Sequence, residues 1–270
     1  MLTISVIIPT YNSAKTIRRC LDSITKQRYR AKEIIVVDRF SIDGTPAIAE
    51  AFDTKVIQTM ANRSLARNIG LEHSSSEGAV FIDSDMLLSP GLLAECSQRL
   101  EEYQALVIPE TSFGGGFWAK CKSLERETNL ESEIEAARCF RRIAFLSLGG
   151  YNPNLEAAED WDLHRKVQAA RFSIGRTNAK LLHDEGNSSL VVMLKKKFFY
   201  GEVIGEFIES NPTARRIQLN PINRILRPSI KVMTSHPIHG AGVFILKTLE
   251  FVAAGTGWLK SKTIARKPRK

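Results

Sequence analysis

Residues 79–88 read Ala79-Val80-Phe81-Ile82-Asp83-Ser84-Asp85-Met86-Leu87-Leu88, an apolar run that ends on two acids one residue apart. The run has the length of a buried strand, and Gly78 before it is a turn signal. Side chains alternate faces along a strand, so Asp83 and Asp85 are expected to point the same way as the chain leaves the sheet. Two like charges in a partly buried place raise each other's pKa at a cost, whereas a shared hard divalent cation removes that cost. The triplet alone leaves a second reading open, in which Asp83 caps a turn and Asp85 faces solvent.

Working back towards the N-terminus, residues 3–9 form another apolar run, closed by Pro9, and residues 33–37 a further one, closed by Asp38. Residues 55–58 fit a short strand. Helices are expected from Asn12 or Ser13 as N-cap to about Gln27, from about Pro46, and from Ser64 to Glu72. Strand and helix alternate through the first ~85 residues, the pattern of an α/β protein with an open, mostly parallel sheet and helices on both faces. Ligands of such sheets bind beyond the carboxyl ends of the strands, where Pro9–Asn12, Asp38 and Asp83–Asp85 all fall.

Beyond residue 88 the pattern predicts a helix over 90–103, a strand over 105–109, a hinge-like loop at Phe113–Phe117, a helix over 118–127 and an edge strand at 139–142. A turn at 149–153 precedes Glu159-Asp160, which opens a helix to about Ala170, and a strand ends at Leu181-Leu182-His183. Gly114–Gly116 is not a phosphate loop, since no Lys-Ser/Thr follows it; it reads as a mobile loop over an acceptor site.

The 270 residues suffice for one large domain with an appendage. The net charge of +9 is unevenly placed: residues 1–194 carry 23 basic and 25 acidic side chains, residues 195–270 carry 15 and 4. Only the last quarter of the chain thus asks for an anionic partner. It includes Lys195-Lys196-Lys197-Phe198-Phe199-Tyr200, an apolar stretch over 228–259 interrupted by Lys231, Lys247 and Glu250, and a basic tail from Lys260. No ~20-residue window is uninterruptedly apolar, so amphipathic helices lying on a membrane surface are expected rather than a spanning helix. Four scattered cysteines form no Cys-x-x-Cys pair, which argues for a reducing compartment, and no signal peptide is expected at the N-terminus.

The ordered set Val6-Ile7-Ile8-Pro9-Thr10-Tyr11-Asn12, Val36-Val37-Asp38, Ser41-Ile42-Asp43-Gly44-Thr45, Ala66-Arg67-Asn68-Ile69-Gly70, Asp83-Ser84-Asp85, Gly149-Gly150-Tyr151-Asn152 and Glu159-Asp160 resembles the inverting glycosyltransferases of family 2, with the Rossmann-like GT-A fold. The resemblance covers about residues 3–190 and implies a catalytic domain over 1–190 with a helical, membrane-associating extension over 191–270. It implies that Pro9, Tyr11 and Asn12 line a nucleotide pocket, that Asp38 accepts from the base, and that Arg67 lies near the diphosphate. By the same resemblance Asp83 faces the ribose or a metal-bound water, Asp85 holds Mn2+ or Mg2+, His183 completes the metal shell, and Asp160, beside Glu159, is the general base. One departure concerns the nucleotide: Arg39 stands where many relatives have a second acid.

The activity implied is transfer of a sugar from a UDP- or GDP-sugar to a lipid-linked acceptor, such as a polyprenyl phosphate, or to a glycan, at the cytoplasmic face of an anionic membrane. A sugar-nucleotide pyrophosphorylase is the first rival; it calls for a Gly-rich loop with Arg or Lys after the first strand, which Pro9–Ser13 does not supply. A non-catalytic nucleic-acid binder is the second, and the acidic first 194 residues offer it no basic stripe, so no nucleic-acid partner is expected.

Overall fold

A computed structural model describes residues 1–130, 132, 135–187, 189–211 and 220–265, with the side chains of residues 206, 210, 264 and 265 outside the description. The end of the basic tail, 266–270, lies outside the described residues. In chain order the elements are β1 (Ile4–Thr10), α1 (Ile17–Thr25), β2 (Glu33–Asp38), α2 (Thr45–Glu50), β3 (Lys55–Gln58), α3 (Arg63–Glu72), β4 (Gly78–Phe81), β5 (Met86–Leu88), α4 (Leu92–Arg99), β6 (Ala105–Val107), β7 (Glu110–Phe113) and α5 (Gly116–Thr128). There follow β8 (Ala137–Arg141), α6 (Arg142–Ser147), α7 (Glu159–Ala169), β9 (Ile174–Arg176), β10 (Leu181–Asp184), α8 (Leu190–Val203), α9 (Gly205–Ser210), a π-helical turn at Ile222–Leu226, α10 (Arg227–Met233) and α11 (Pro237–Ala265).

The chain divides into two compact units, and the division does not follow chain order. The first comprises Met1–Thr111, Glu135–Pro153 and Glu159–Asp184; the second takes Ser112–Ile134 and Asn154–Ala158 along with Glu185–Lys270. The expected boundary at residue 190 therefore leaves out α5, which belongs with the C-terminal helices.

The first unit holds a seven-stranded sheet in the order β3-β2-β1-β4-β8-β6-β9. β1 to β4 run parallel, β8 runs antiparallel to both its neighbours, and β9 is parallel to β6. The mostly parallel open sheet expected from the sequence is thus present. Its strands read as continuous apolar runs because both faces are covered. Val6, Ile8 and Val80 pack with Leu21, Leu93 and Cys96 on one side. Ile7 and Phe81 pack with Phe140, Phe145 and Tyr151 on the other. Each such apolar side chain stabilises the fold by roughly 1.5–3 kcal/mol.

Pro9 does not end β1. The strand runs on to Thr10, paired only with β2, because pairing with β4 stops at Ile7 opposite Phe81. A residue without an N–H is tolerated there. Neither Asn12 nor Ser13 caps the first helix, which begins only at Ile17. Asn12 instead adopts a left-handed conformation (φ 49°), a region asparagine enters more readily than most residues. α3 lies so close to β1 that a Cβ at Gly70 would come within 2.4 Å of Ile7 Cγ2, which accounts for the glycine of the Ala66–Gly70 motif.

In the second unit Cys121 and Leu124 of α5 pack with Met193, Val232, Val243 and Leu246. α8 and α11 approach to backbone contact: a Cβ at Gly201 would lie 2.0 Å from Ala254 O, and one at Gly257 2.1 Å from Phe198 O. α11 is not the expected amphipathic helix. Ile238, Phe244, Ile245, Leu249, Phe251, Val252 and Leu259 are exposed, while Lys247 and Glu250 are buried. Among the described residues, its stretch Pro237–Thr263 is long and apolar enough to cross a membrane by length and composition, contrary to the expectation that no segment would be. A core helix of a soluble protein can meet the same criterion. The Phe113–Phe117 stretch is no free-standing loop: it closes β7 and opens α5.

Candidate active site

Every site residue expected from the sequence falls in the first unit. The loops after β1 and β2 are tied to each other. Asn12 N donates to Ser41 Oγ (2.7 Å), Ile42 N to Asn12 Oδ1 (3.1 Å), and Ala14 N to Asp43 Oδ2 (3.0 Å). Asp38, fully buried at the end of β2, accepts from Thr10 Oγ1 (2.8 Å), Ser41 Oγ (2.6 Å) and Ser41 N (2.8 Å). A carboxylate has about four acceptor positions, so these bonds fix its orientation and leave capacity for one donor more. Beside it opens a pocket lined by Pro9, Tyr11, Val37, Arg39, Thr59 and Arg63. The Arg39 guanidinium lies 5.8 Å from the exposed Tyr11 ring, at the position where the sequence departs from the family pattern.

Two of the sequence motifs meet through one asparagine. Asn68 Nδ2 donates to Tyr151 O (2.8 Å) and Tyr151 N donates to Asn68 Oδ1 (3.0 Å). Gly150 (φ 66°) leaves no room for a Cβ, which would sit 2.7 Å from Asn68 Oδ1. This clamp places the Tyr151 ring 5.0 Å from the guanidinium of Arg67.

Arg67 is the centre of the site and is 0% exposed. It reaches Asp83 Oδ1 through Nη2 (2.7 Å), and Glu159 Oε1 (3.1 Å) and Asp160 Oδ1 (2.9 Å) through Nη1. It acts within the site through these three carboxylates. Arg63, one turn earlier on α3, takes Glu159 Oε1 at 2.7 Å and lines the pocket. Glu159 and Asp160 open α7, where backbone N–H groups favour negative charge. Ala158 just before them holds φ 64°, a strained value for alanine of the kind that gathers at functional sites.

Burial alone would raise the pKa of Asp83, but Arg67 and then Arg138 outweigh it and hold this carboxyl far below its ordinary value. Asp160 is likewise pushed up by burial and pulled down further by Arg138, Arg67 and Arg63, so it stays ionised. Glu159 moves the other way: burial and then the charge of Asp160 raise it despite Arg63 and Arg67. Adjacent acids with opposite shifts are a mark of functional sites. Arg138 was not singled out from the sequence, and no local signal there marks it.

The expected ligand set Asp83, Asp85 and His183 is not gathered. Among the described residues no three His, Cys, Asp or Glu side chains are grouped to hold a metal. The chain turns directly after Asp83, with Met86 N bonded to Asp83 O (3.0 Å), so the two aspartates take different partners. Asp83 faces Arg67, whereas Asp85 Oδ2 lies 3.4 Å from His183 Nε2. β5 and β10 pair antiparallel and set Met86 opposite His183, which brings the latter two together. Asp85 Oδ1 is buried without a hydrogen-bond partner. An oxygen left so is one that a hard cation would satisfy, and Asp85 with His183 fits two positions of a shell that substrate phosphate and water can complete.

An open, mostly parallel sheet with acids at its strand ends fits the GT-A class of fold, and solved structures of that fold superpose on it. The mannosyltransferase PcManGT of Pyrobaculum calidifontis, solved with GDP-Man and Mn2+, superposes with TM-score 0.66 at 18% identity over 97% of this chain and 88% of its own. Staphylococcus aureus TarS 1-349 with UDP-GlcNAc gives 0.57 at 18% identity over 99% and 93%. Residues 5–151 match the family described as Glycosyl transferase family 2, and the chain belongs to that family. Curated relatives include the poly(ribitol-phosphate) beta-N-acetylglucosaminyltransferase TarS of S. aureus, 33% identical over 209 residues that make up 74% of this chain and 35% of TarS. Glycosyltransferase GlyA of Streptococcus pneumoniae is 37% identical over 108 residues, 38% of this chain and 16% of GlyA. The chain covers well under two thirds of the length of these curated relatives.

Proposed function

We propose that this chain is a metal-dependent inverting glycosyltransferase that moves a sugar from a UDP- or GDP-sugar to a lipid-linked or glycan acceptor. The observation that carries the reading is the gathering of Asp83, Glu159 and Asp160 on one buried arginine, Arg67, in the unit that holds Asp38 and its pocket. Asp38 accepts the N–H of the donor base, and Pro9, Tyr11 and Asn12 wall the nucleotide. Asp85 and His183 hold Mn2+ or Mg2+, with Asp83 towards the ribose or a metal-bound water. The cation, when bound, neutralises charge on the departing diphosphate. Arg67 orients the carboxylates; Arg63, on the pocket wall, is the arginine the diphosphate can reach. Asp160, kept ionised by its arginines, accepts the proton of the acceptor hydroxyl as that oxygen attacks the anomeric carbon from the face opposite the leaving group.

The test is donor binding. Mn2+ should enhance the thermal stabilisation that UDP- or GDP-sugars give the wild type, and Asp85→Ala should lose that enhancement. An Asp85→Ala protein still showing the full Mn2+ effect would remove Asp85 from the metal shell.

The same reading places the second unit on the cytoplasmic face of an anionic membrane, supported by the net charge of residues 195–270 and by the exposed apolar side chains of α11. The full chain should co-float with vesicles containing phosphatidylglycerol, and Phe251→Asp with Val252→Asp should lower the bound fraction several-fold. Equal flotation of the variant would end the membrane assignment.

A further inference from the structure

We infer that Arg138 is a positioning residue for the reaction, holding the Asp160 carboxylate by the oxygen that Arg67 does not take. The inference rests on the reading of Asp160 as base given above.

The first observation is a β-bulge. In the pairing of β6 with β8, Ala105 stands opposite Phe140 and Leu106 opposite Cys139, yet Val107 stands opposite Ala137. Arg138 is the extra residue, with no partner on β6. In a regular ladder it would face Val107, and its direction would be dictated by the pleat. Bulges free one residue from that alternation and re-aim its side chain, often beside active sites.

The second observation is where the side chain goes. Only 12% exposed, Arg138 sends Nε to Glu110 Oε1 (2.5 Å), Nη2 towards Asp160 Oδ2 (3.3 Å) and Nη1 towards Asp83 Oδ2 (4.0 Å). Arg67 takes the other oxygen of each aspartate, Asp83 Oδ1 at 2.7 Å and Asp160 Oδ1 at 2.9 Å. Two arginines and two aspartates thus alternate around a closed ring, tight at the Arg67 corner and loose at the Arg138 corner. Arg138 Nη1 is buried without a hydrogen-bond partner. A buried N–H left unpaired costs about 1–3 kcal/mol, so such groups are rare unless something keeps them.

The third step is mechanical. A carboxylate held through one oxygen still turns about χ2, which is a soft, broad torsion. Arg67 alone gives Asp160 one anchor; Arg138 gives the second and fixes the plane of the carboxylate. A misplacement of ~1 Å can cost ~10²-fold in rate, so the second anchor matters to turnover while leaving the nucleotide pocket untouched.

The experiment is a double-mutant cycle on transfer rates, read by single turnover so that slow variants remain measurable. Arg138→Met should lower kcat by at least ~30-fold with the donor KM within ~3-fold, and should cost nothing further in an Asp160→Asn background. Glu110→Met removes the acceptor of Nε while leaving the bulge filled, and should lower kcat about 3- to 10-fold at unchanged donor KM. It supplies the readout if Arg138→Met does not fold. Equal losses from Arg138→Met with and without Asp160→Asn, or wild-type kcat in Glu110→Met, would overturn the inference. An Asp160→Asn enzyme with full turnover would overturn it too, by removing Asp160 as base; the cycle distinguishes that failure from failure of the Arg138 role alone.

Discussion

Each compact unit buries a ring of alternating charges, and the two are finished differently. In the first unit Arg67 and Arg138 alternate with Asp83 and Asp160, whose side chains are still 23% and 22% exposed. One edge of that ring is 4.0 Å long, and two guanidinium nitrogens, Arg67 Nε and Arg138 Nη1, are buried without a hydrogen-bond partner. In the second unit Lys122, Glu125, Lys247 and Glu250 close a ring with edges of 3.0, 3.5, 2.9 and 3.5 Å. None of its side chains is more than 14% exposed, and no ammonium or carboxylate atom of it is left without a partner among the described residues. The same chemistry serves two ends. A ring that satisfies itself can only hold helices together, whereas one with a loose corner and orphaned atoms has capacity left for a substrate.

The sharpest way to break this contrast is to remove charge from each ring. Arg67→Met strands three carboxylates that nothing else compensates fully, and should destabilise the protein by about 3–5 kcal/mol in urea unfolding, or prevent folding. Replacing the second ring whole, with Lys122→Met, Glu125→Leu, Lys247→Met and Glu250→Leu together, should leave stability unchanged or raise it by about 1–4 kcal/mol, because the ions' desolvation cost disappears with their attraction. If the fourfold variant unfolds while Arg67→Met is tolerated, the functional and structural rings have been assigned the wrong way round.

How far the sequence shows this depends on range. β1, β2 and β4 are legible because a strand covered on both faces is a short unbroken apolar run, and acids at the ends of such runs, Asp38 and Asp83, mark where ligands go. β5 and β9, three residues each, are too short to show a period. The expected pairing of Asp83 with Asp85 assumes a strand that continues; the turn after Asp83 ends it, and only the meeting of β5 with β10 shows that Asp85 belongs with His183. Arg138 is invisible because a bulge is a property of two strands' register. The second ring is harder still. Lys122 with Glu125, and Lys247 with Glu250, each read as a surface pair at i,i+3, and nothing local says that the two helices bury them against each other. For the same reason α11 reads as amphipathic: its charges look like a polar face, but Lys247 and Glu250 are buried while Ile245, Phe251 and Val252 are exposed.

The smallest expected effect tests whether the second ring is as self-contained as its geometry makes it. Lys197 of α8 stands outside the ring but within its field. Glu250 favours its charge, yet burial and the repulsion of Lys122, Lys247 and Arg224 outweigh that and push its pKa down to about 7. A lysine in the unfolded chain titrates near ~10.4, so between about 7 and that value the unfolded chain binds more protons than the folded one. Stability should therefore rise with pH across this window, by at most about 1.4 kcal/mol per pH unit. Lys247, also lowered chiefly by burial, adds a contribution of the same sign. Urea midpoints at pH 7, 8 and 9 should climb for the wild type and climb less for Lys197→Met, which removes the proton difference while keeping the stem. Parallel midpoints in the two proteins would mean that Lys197 keeps its proton, and that the ring's carboxylates reach beyond their own lysines.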